Sequence, residues 1–106
     1  MEFANENLAK TIVERLKPLN PLRIILFGSY GYGTPNEDSD LDICFVKKEI
    51  KSKYQEQKKI RSRLKDLSIS KDILVVGEEE YDFYKNEYGS VFMDIERKGK
   101  VLWSSI

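Results

Sequence analysis

The amino-acid sequence predicts an α/β sandwich built around one small sheet. Three observations lead to that expectation. Short apolar runs with strand character alternate with longer segments of helical period. A chain of 106 residues has enough surface to bury about two-thirds of it in one core, which leaves room for a single domain over 1–106. An amphipathic stretch of crossover length separates two of the strands, and such a connection makes those two strands parallel.

Each element has its own signal. Leu8, Ile12, Val13 and Leu16 recur at helical spacing from Asn5 to Lys17, and Pro18 stops the run. Arg23-Ile24-Ile25-Leu26-Phe27 reads as a buried strand ended by Gly28. The segment from Gly28 to Asp38 is rich in glycine and polar turn formers, with a short helical turn expected near Ser29. In Asp40-Leu41-Asp42-Ile43-Cys44-Phe45-Val46, Leu41, Ile43 and Phe45 share one face, and Asp40, Asp42, Cys44 and Val46 the other. Both faces are apolar after Asp42, so this strand is expected to be central. Ile50, Tyr54, Gln57, Ile60, Leu64 and Leu67 form the narrow apolar seam of a helix over 50–67. Asp72-Ile73-Leu74-Val75-Val76 is a further buried strand. The acidic start of 78–86 suits a helix N-terminus, with Tyr81, Tyr84 and Tyr88 on one face; packing against the sheet is expected, and a partner-binding or base-stacking surface is the alternative. Ser90 caps a short helix that ends near Gly99, and Val101-Leu102-Trp103 closes the chain as a strand. The order is α-β-β-α-β-α-α-β.

Composition narrows the chemistry. Eighteen basic residues balance eighteen acidic ones, so no global positive field exists to hold a nucleic acid backbone. The longest apolar runs, about five residues, fall far short of the ~20 that cross a bilayer. Met1 to Glu6 lacks the basic and apolar regions of a signal peptide. Cys44, the single cysteine, has no internal disulfide partner, so a cytoplasmic setting is expected. With no histidine in the chain, His-based triads and His metal sites are excluded. Carboxylates, hydroxyls, Lys, Arg and backbone amides remain, and a bound metal would be a hard, oxygen-loving one.

Asp40 and Asp42, two apart, project from one strand face and repel each other unless a proton or cation sits between them. A divalent metal resolves that repulsion; two ordinary acids at a solvated strand end are the alternative. Asp72 opens the parallel neighbour, so all three carboxylates should meet at one sheet edge, or Asp72 is a turn residue. Gly28 lets the backbone turn sharply after a buried strand, and Ser29 with the following amides can hold a phosphate; a plain strand-to-loop glycine is the alternative. The segment matches neither the Walker loop nor the dinucleotide pattern. The basic run from Lys47 to Lys65 is interrupted by Glu49 and Glu56 and reads as a solvated helix face.

Gly28-Ser29-Tyr30-Gly31-Tyr32-Gly33, followed by Ser39-Asp40-Leu41-Asp42, resembles the nucleotidyltransferase signature of Gly-Ser, three residues, Gly, five residues and Ser-Asp-x-Asp. Gly28, Ser29, Gly33, Ser39, Asp40 and Asp42 fall on its defined positions. The signature is that of the DNA polymerase beta-like superfamily, and the layout is similar to the minimal nucleotidyltransferases, the MNT-type antitoxins paired with HEPN-domain toxins. The resemblance implies a polymerase beta palm-like fold, a small mixed sheet flanked by helices. It implies a Mg²⁺-dependent transfer of AMP from ATP, with two ions on Asp40 and Asp42. Asp72 would be the third carboxylate, a metal ligand and general base. Gly28 and Ser29 would hold the terminal phosphates, with Gly33 and Ser39 completing the nucleotide-binding signature. The implied acceptor is a tyrosine of a HEPN-type toxin. With no second domain to hold it, the acceptor is expected from a partner or a second subunit, in a homo- or hetero-oligomer. An antitoxin that neutralises by covering its toxin, and a small-molecule (antibiotic) nucleotidyltransferase, are the alternatives.

Overall fold

The structure is a computed structural model that describes residues 2–33, 35, 36 and 38–105, with side chains from Asn7 onward. Within the turn-rich connection, Thr34 and Glu37 lie outside the described residues.

Helix α1 (Glu2–Leu16) runs into a 3-10 turn (Lys17–Leu19) at Pro18. Asn20 then takes a left-handed conformation at φ 59° and turns the chain into strand β1 (Arg23–Phe27). A one-and-a-half-turn helix, α2 (Gly28–Tyr32), follows directly. Strand β2 (Leu41–Lys47), helix α3 (Lys53–Arg63) and strand β3 (Lys71–Gly77) form the crossover unit. Helices α4 (Glu78–Tyr84) and α5 (Val91–Lys98) lead to strand β4 (Lys100–Ser104).

The sheet order is β3-β2-β1-β4. β2 is interior, as its two apolar faces require. It pairs antiparallel with β1 and parallel with β3, so the crossover logic holds. Alternation assigns the two faces. Ile24, Leu26, Leu41, Ile43, Phe45, Ile73 and Val75 pack with Ile12, Leu16, Ile60 and Leu64 beneath α1 and α3. On the other face, Ile25, Cys44, Val46 and Val76 pack with Tyr81 of α4 and Ile95 of α5.

Two expectations need correction. The crossover helix is shorter than 50–67. Ser52 caps its start by accepting from the Gln55 amide at 3.2 Å, and the Leu64 and Leu67 amides close successive turns at its end. Ile50 and Leu67 still pack on the core from outside the helix, but Tyr54, in the first turn, is exposed. The helix instead buries Glu56, 3.3 Å from Lys47 Nζ. The second correction concerns the tyrosines. Only Tyr81 packs against the sheet. Tyr84 ends α4 exposed, and Tyr88 lies beyond the helix, where helical spacing no longer applies.

Candidate active site

Asp42 and Asp72 stand side by side at the start of the parallel pair, with Asp40 two residues before Asp42 in the chain. In register, Asp42 lies opposite Phe27 of β1 on one side and Asp72 of β3 on the other. Asp40 sits one residue before β2, exposed, as is Asp72. Asp42 is half-buried and has its pKa raised, first by burial and then by the charges of Asp72 and Asp40. The repulsion expected from the sequence is therefore present, and Asp42 bears it.

Gly28 explains how the loop reaches these carboxylates. Its φ is +66°, a conformation that costs other residues about 1–2 kcal/mol. A Cβ there would also run into Asp42 Oδ2. Glycine is needed twice, for the turn and for the approach. Ser29 follows in the first turn of α2, half-buried. The Gly33 amide donates to the Ser29 carbonyl at 3.1 Å, and a Cβ on Gly33 would stand 3.1 Å from Ser29 Cα. Gly33 thus closes the turn tightly behind Ser29.

Ser39 has a local partner. Its Oγ accepts from the Asn36 amide at 2.9 Å, while Asn36 Oδ1 accepts from the Asp38 amide at 2.8 Å. This small knot sets where the chain enters β2 and so where Asp40 stands. The signature reading did not foresee it, although the Asn36-x-x-Ser39 spacing is a turn signal. Also unforeseen was Lys98 at the end of α5, whose Nζ lies 5.8 Å from the centroid of the Tyr32 ring. No sequence periodicity relates those two positions.

Among the described residues, no three carboxylate or thiol side chains already stand as a metal cage. The carboxylates line an open sheet edge. A concavity of about 450 Å³ lies away from them, lined by residues that include Lys48, Ile50, Gly77 and Glu79.

The description "nucleotidyltransferase domain" belongs to the family model that matches residues 7–101. The chain belongs to that family. A Methanocaldococcus jannaschii protein carrying the name "Putative protein adenylyltransferase MJ0141" is 44% identical over 55 residues, covering 50% of this chain and 52% of that protein. The aligned part thus spans about half of that relative's length. Solved structures share the fold. A toxin–antitoxin with AMP-PNP superposes with a TM-score of 0.67 at 22% identity, covering 92% of this chain and 73% of the other. The MntA-HepT toxin–antitoxin gives 0.62 at 17% identity, covering 94% and 73%. A nucleotidyltransferase candidate from Sulfolobus solfataricus gives 0.63 at 23% identity, covering 96% and 85%. The α/β architecture of this nucleotidyltransferase domain is therefore the one its signature implied. No helix among its described residues is long and apolar enough to cross a membrane.

Proposed function

We infer that this nucleotidyltransferase domain transfers AMP from ATP to a hydroxyl of a partner protein, a tyrosine of a HEPN-type toxin, and thereby acts as antitoxin in the cytoplasm. One observation carries the reading: Asp42 pairs in register with Asp72 directly beside Gly28, whose missing side chain brings the Gly-Ser turn onto the carboxylates. The name of the M. jannaschii relative supports adenylyl transfer to protein. The toxin–antitoxin neighbours support the kind of partner.

In the proposed reaction the acceptor oxygen attacks the α-phosphorus of ATP. A new O–P bond forms as the bond from that phosphorus to its bridging oxygen breaks, and pyrophosphate leaves. The hydroxyl proton passes to Asp72, exposed at the strand start. Ser29 and the Gly28 turn hold the terminal phosphates, with Gly33 bracing the turn. Ser39 fixes the entry of Asp40.

Asp40, Asp42 and Asp72 would hold two Mg²⁺ ions, which when bound neutralise charge on the attacking and leaving oxygens. The residues fit. The donors are carboxylate oxygens, suited to a hard cation, and Mg²⁺ needs only one or two of them beside phosphate oxygens and waters. A closed protein cage is not required. After burial, the charges of Asp72 and Asp40 raise the pKa of Asp42, and a bound cation would relieve that repulsion.

Asp40→Asn with Asp42→Asn tests this. Wild type mixed with the HEPN-type partner, ATP and Mg²⁺ should add one AMP to the partner by mass spectrometry and neutralise it. The variant should bind the partner, add nothing and fail to neutralise. A variant that neutralises as well as wild type would sink the catalytic reading and leave neutralisation by covering.

A further inference from the structure

The segment around the α4–α5 turn carries an aromatic surface that the proposed chemistry does not use. Phe83 is 65% exposed and Tyr88 93%, and Tyr84 and Val91 beside them are also exposed. Phe83 and Tyr84 belong to a ring network, while Tyr88 makes no ring contact among the described residues. Phe83 contacts Tyr84 edge-on at 4.8 Å, Tyr84 stacks on Phe92 at 6.1 Å, and Phe92 meets the buried Tyr81 at 5.8 Å. The turn is pinned by Ser90, whose hydroxyl donates to the Tyr84 carbonyl at 2.7 Å and accepts from the Met93 amide at 3.1 Å. A rigid, exposed aromatic patch marks an interaction surface more strongly than scattered apolar residues do.

Its position is informative. Phe92 packs in one cluster with Phe27 and Leu74. Phe27 lies in register with Asp42, and Leu74 shares a strand face with Asp72. Helix α5 starts in the patch at Val91 and ends at Lys98 over the Tyr32 ring. Patch and carboxylates are thus on one sheet face, linked through Phe92, Phe27 and Leu74. A macromolecular acceptor that grips the patch therefore lies on the same side as the site.

Charge selects the class. Of the six carboxylates in residues 78–94, Glu80 pairs with Lys53 and Asp82 with Lys85, which leaves Glu78, Glu79, Glu87 and Asp94 outside any ion pair among the described residues. Glu87 and Asp94 stand exposed at the rim. Such a field repels a nucleic acid backbone and complements a basic protein surface. A second copy is a poor complement. Its basic side is α3, where Tyr54 is the only large exposed apolar group among the described residues of that helix.

We propose that Phe83, Tyr84, Tyr88 and Val91, with the Glu87 and Asp94 rim, dock the protein acceptor through a basic, apolar segment flanking the modified hydroxyl. This rests on the transfer reading given above. The probes are two fluorescent peptides with a central Tyr between leucines, one flanked by lysines and one by glutamates. Binding is read by anisotropy, transfer of AMP by mass spectrometry, and ATP binding in parallel. The lysine peptide should bind and be modified at least ten-fold better than the glutamate peptide. Glu87→Lys with Asp94→Lys should erase that preference, and Phe83→Ser with Tyr88→Ser should weaken peptide binding at least five-fold, with ATP affinity unchanged in both.

Equal binding of the two peptides, or a preference that survives both variants, overturns the docking surface. Wild-type self-association in sedimentation that the Phe83→Ser, Tyr88→Ser variant abolishes also overturns it, since the occupant is then a second copy. Variant-sensitive binding of the lysine peptide without any transfer keeps the surface and refutes the transfer reading instead.

Discussion

Gly28→Ala separates the two demands that the turn makes on its first residue. At φ +66° an alanine costs about 1–2 kcal/mol. Its Cβ would also meet Asp42 Oδ2. That oxygen is the far end of a side chain, so it can swing aside, at about 1 kcal/mol for an unfavourable rotamer. The sum, about 2–3 kcal/mol, is survivable for a domain with ~5–15 kcal/mol in hand. It should lower Tm by about 10–20 °C. The rotated carboxylate is the one proposed to hold the metal, and a displacement of that kind costs about 100-fold in rate. The decisive assay is a thermal-unfolding cycle with Asp42→Ala. In that background nothing remains for the new Cβ to strike, so the penalty of Gly28→Ala should fall by about 1 kcal/mol, to its backbone part. An equal penalty with and without the Asp42 carboxylate would refute the close approach. Activity within a few-fold of wild type would refute its link to function.

Ser29→Ala should weaken nucleotide binding by about 1–2 kcal/mol, one charge-assisted hydrogen bond, without changing the fold; titration calorimetry with ATP and Mg²⁺ reads it. Cys44 is buried and its thiol is pushed up to about 12, so iodoacetamide should label the native protein negligibly and the denatured protein fully. Arg15 binds Asp66 at 2.6 and 3.0 Å and holds its carboxyl below the ordinary 3.8. A depressed folded pKa contributes stability above 3.8 that is lost as pH falls through the folded value. Asp66→Asn should therefore be less stable than wild type at neutral pH and converge with it in acid, as denaturant midpoints across the range will show.

Much of this architecture was legible because the signals were redundant. The parallel pairing of β2 and β3 followed from an amphipathic crossover between two buried strands. The interior place of β2 followed from its two apolar faces, and both agree with the observed order. Where one signal stood alone it failed. Tyr54 matched the seam by spacing, but the Ser52 cap places it in the first turn, outside the packed stretch. Tyr88 matched Tyr81 by spacing, but a helix that stops at Tyr84 cannot carry the period to it. Helix ends are set by a few caps and turns, and periodicity does not see them.

The site divides along the same line. That Asp42 and Asp72 share a face and an edge is a consequence of strand alternation and parallel register, both readable from sequence. Which carboxylate is perturbed is not, because it depends on how far each stands from solvent. Asp40, just before β2, and Asp72, on the outer strand β3, are exposed, and Asp42, on the interior strand β2, takes the desolvation with their charges beside it. The contact between Gly28 and Asp42 was equally invisible, since fourteen positions separate them in the chain and only the antiparallel register of β1 on β2 closes the gap. That register gives the signature its physical meaning. Phe27 opposite Asp42 brings the next residue over the carboxylate, so a side chain there would run into Asp42 Oδ2. The Gly-Ser and Asp-x-Asp halves are therefore one structural unit, and a change of register between β1 and β2 would disable both at once.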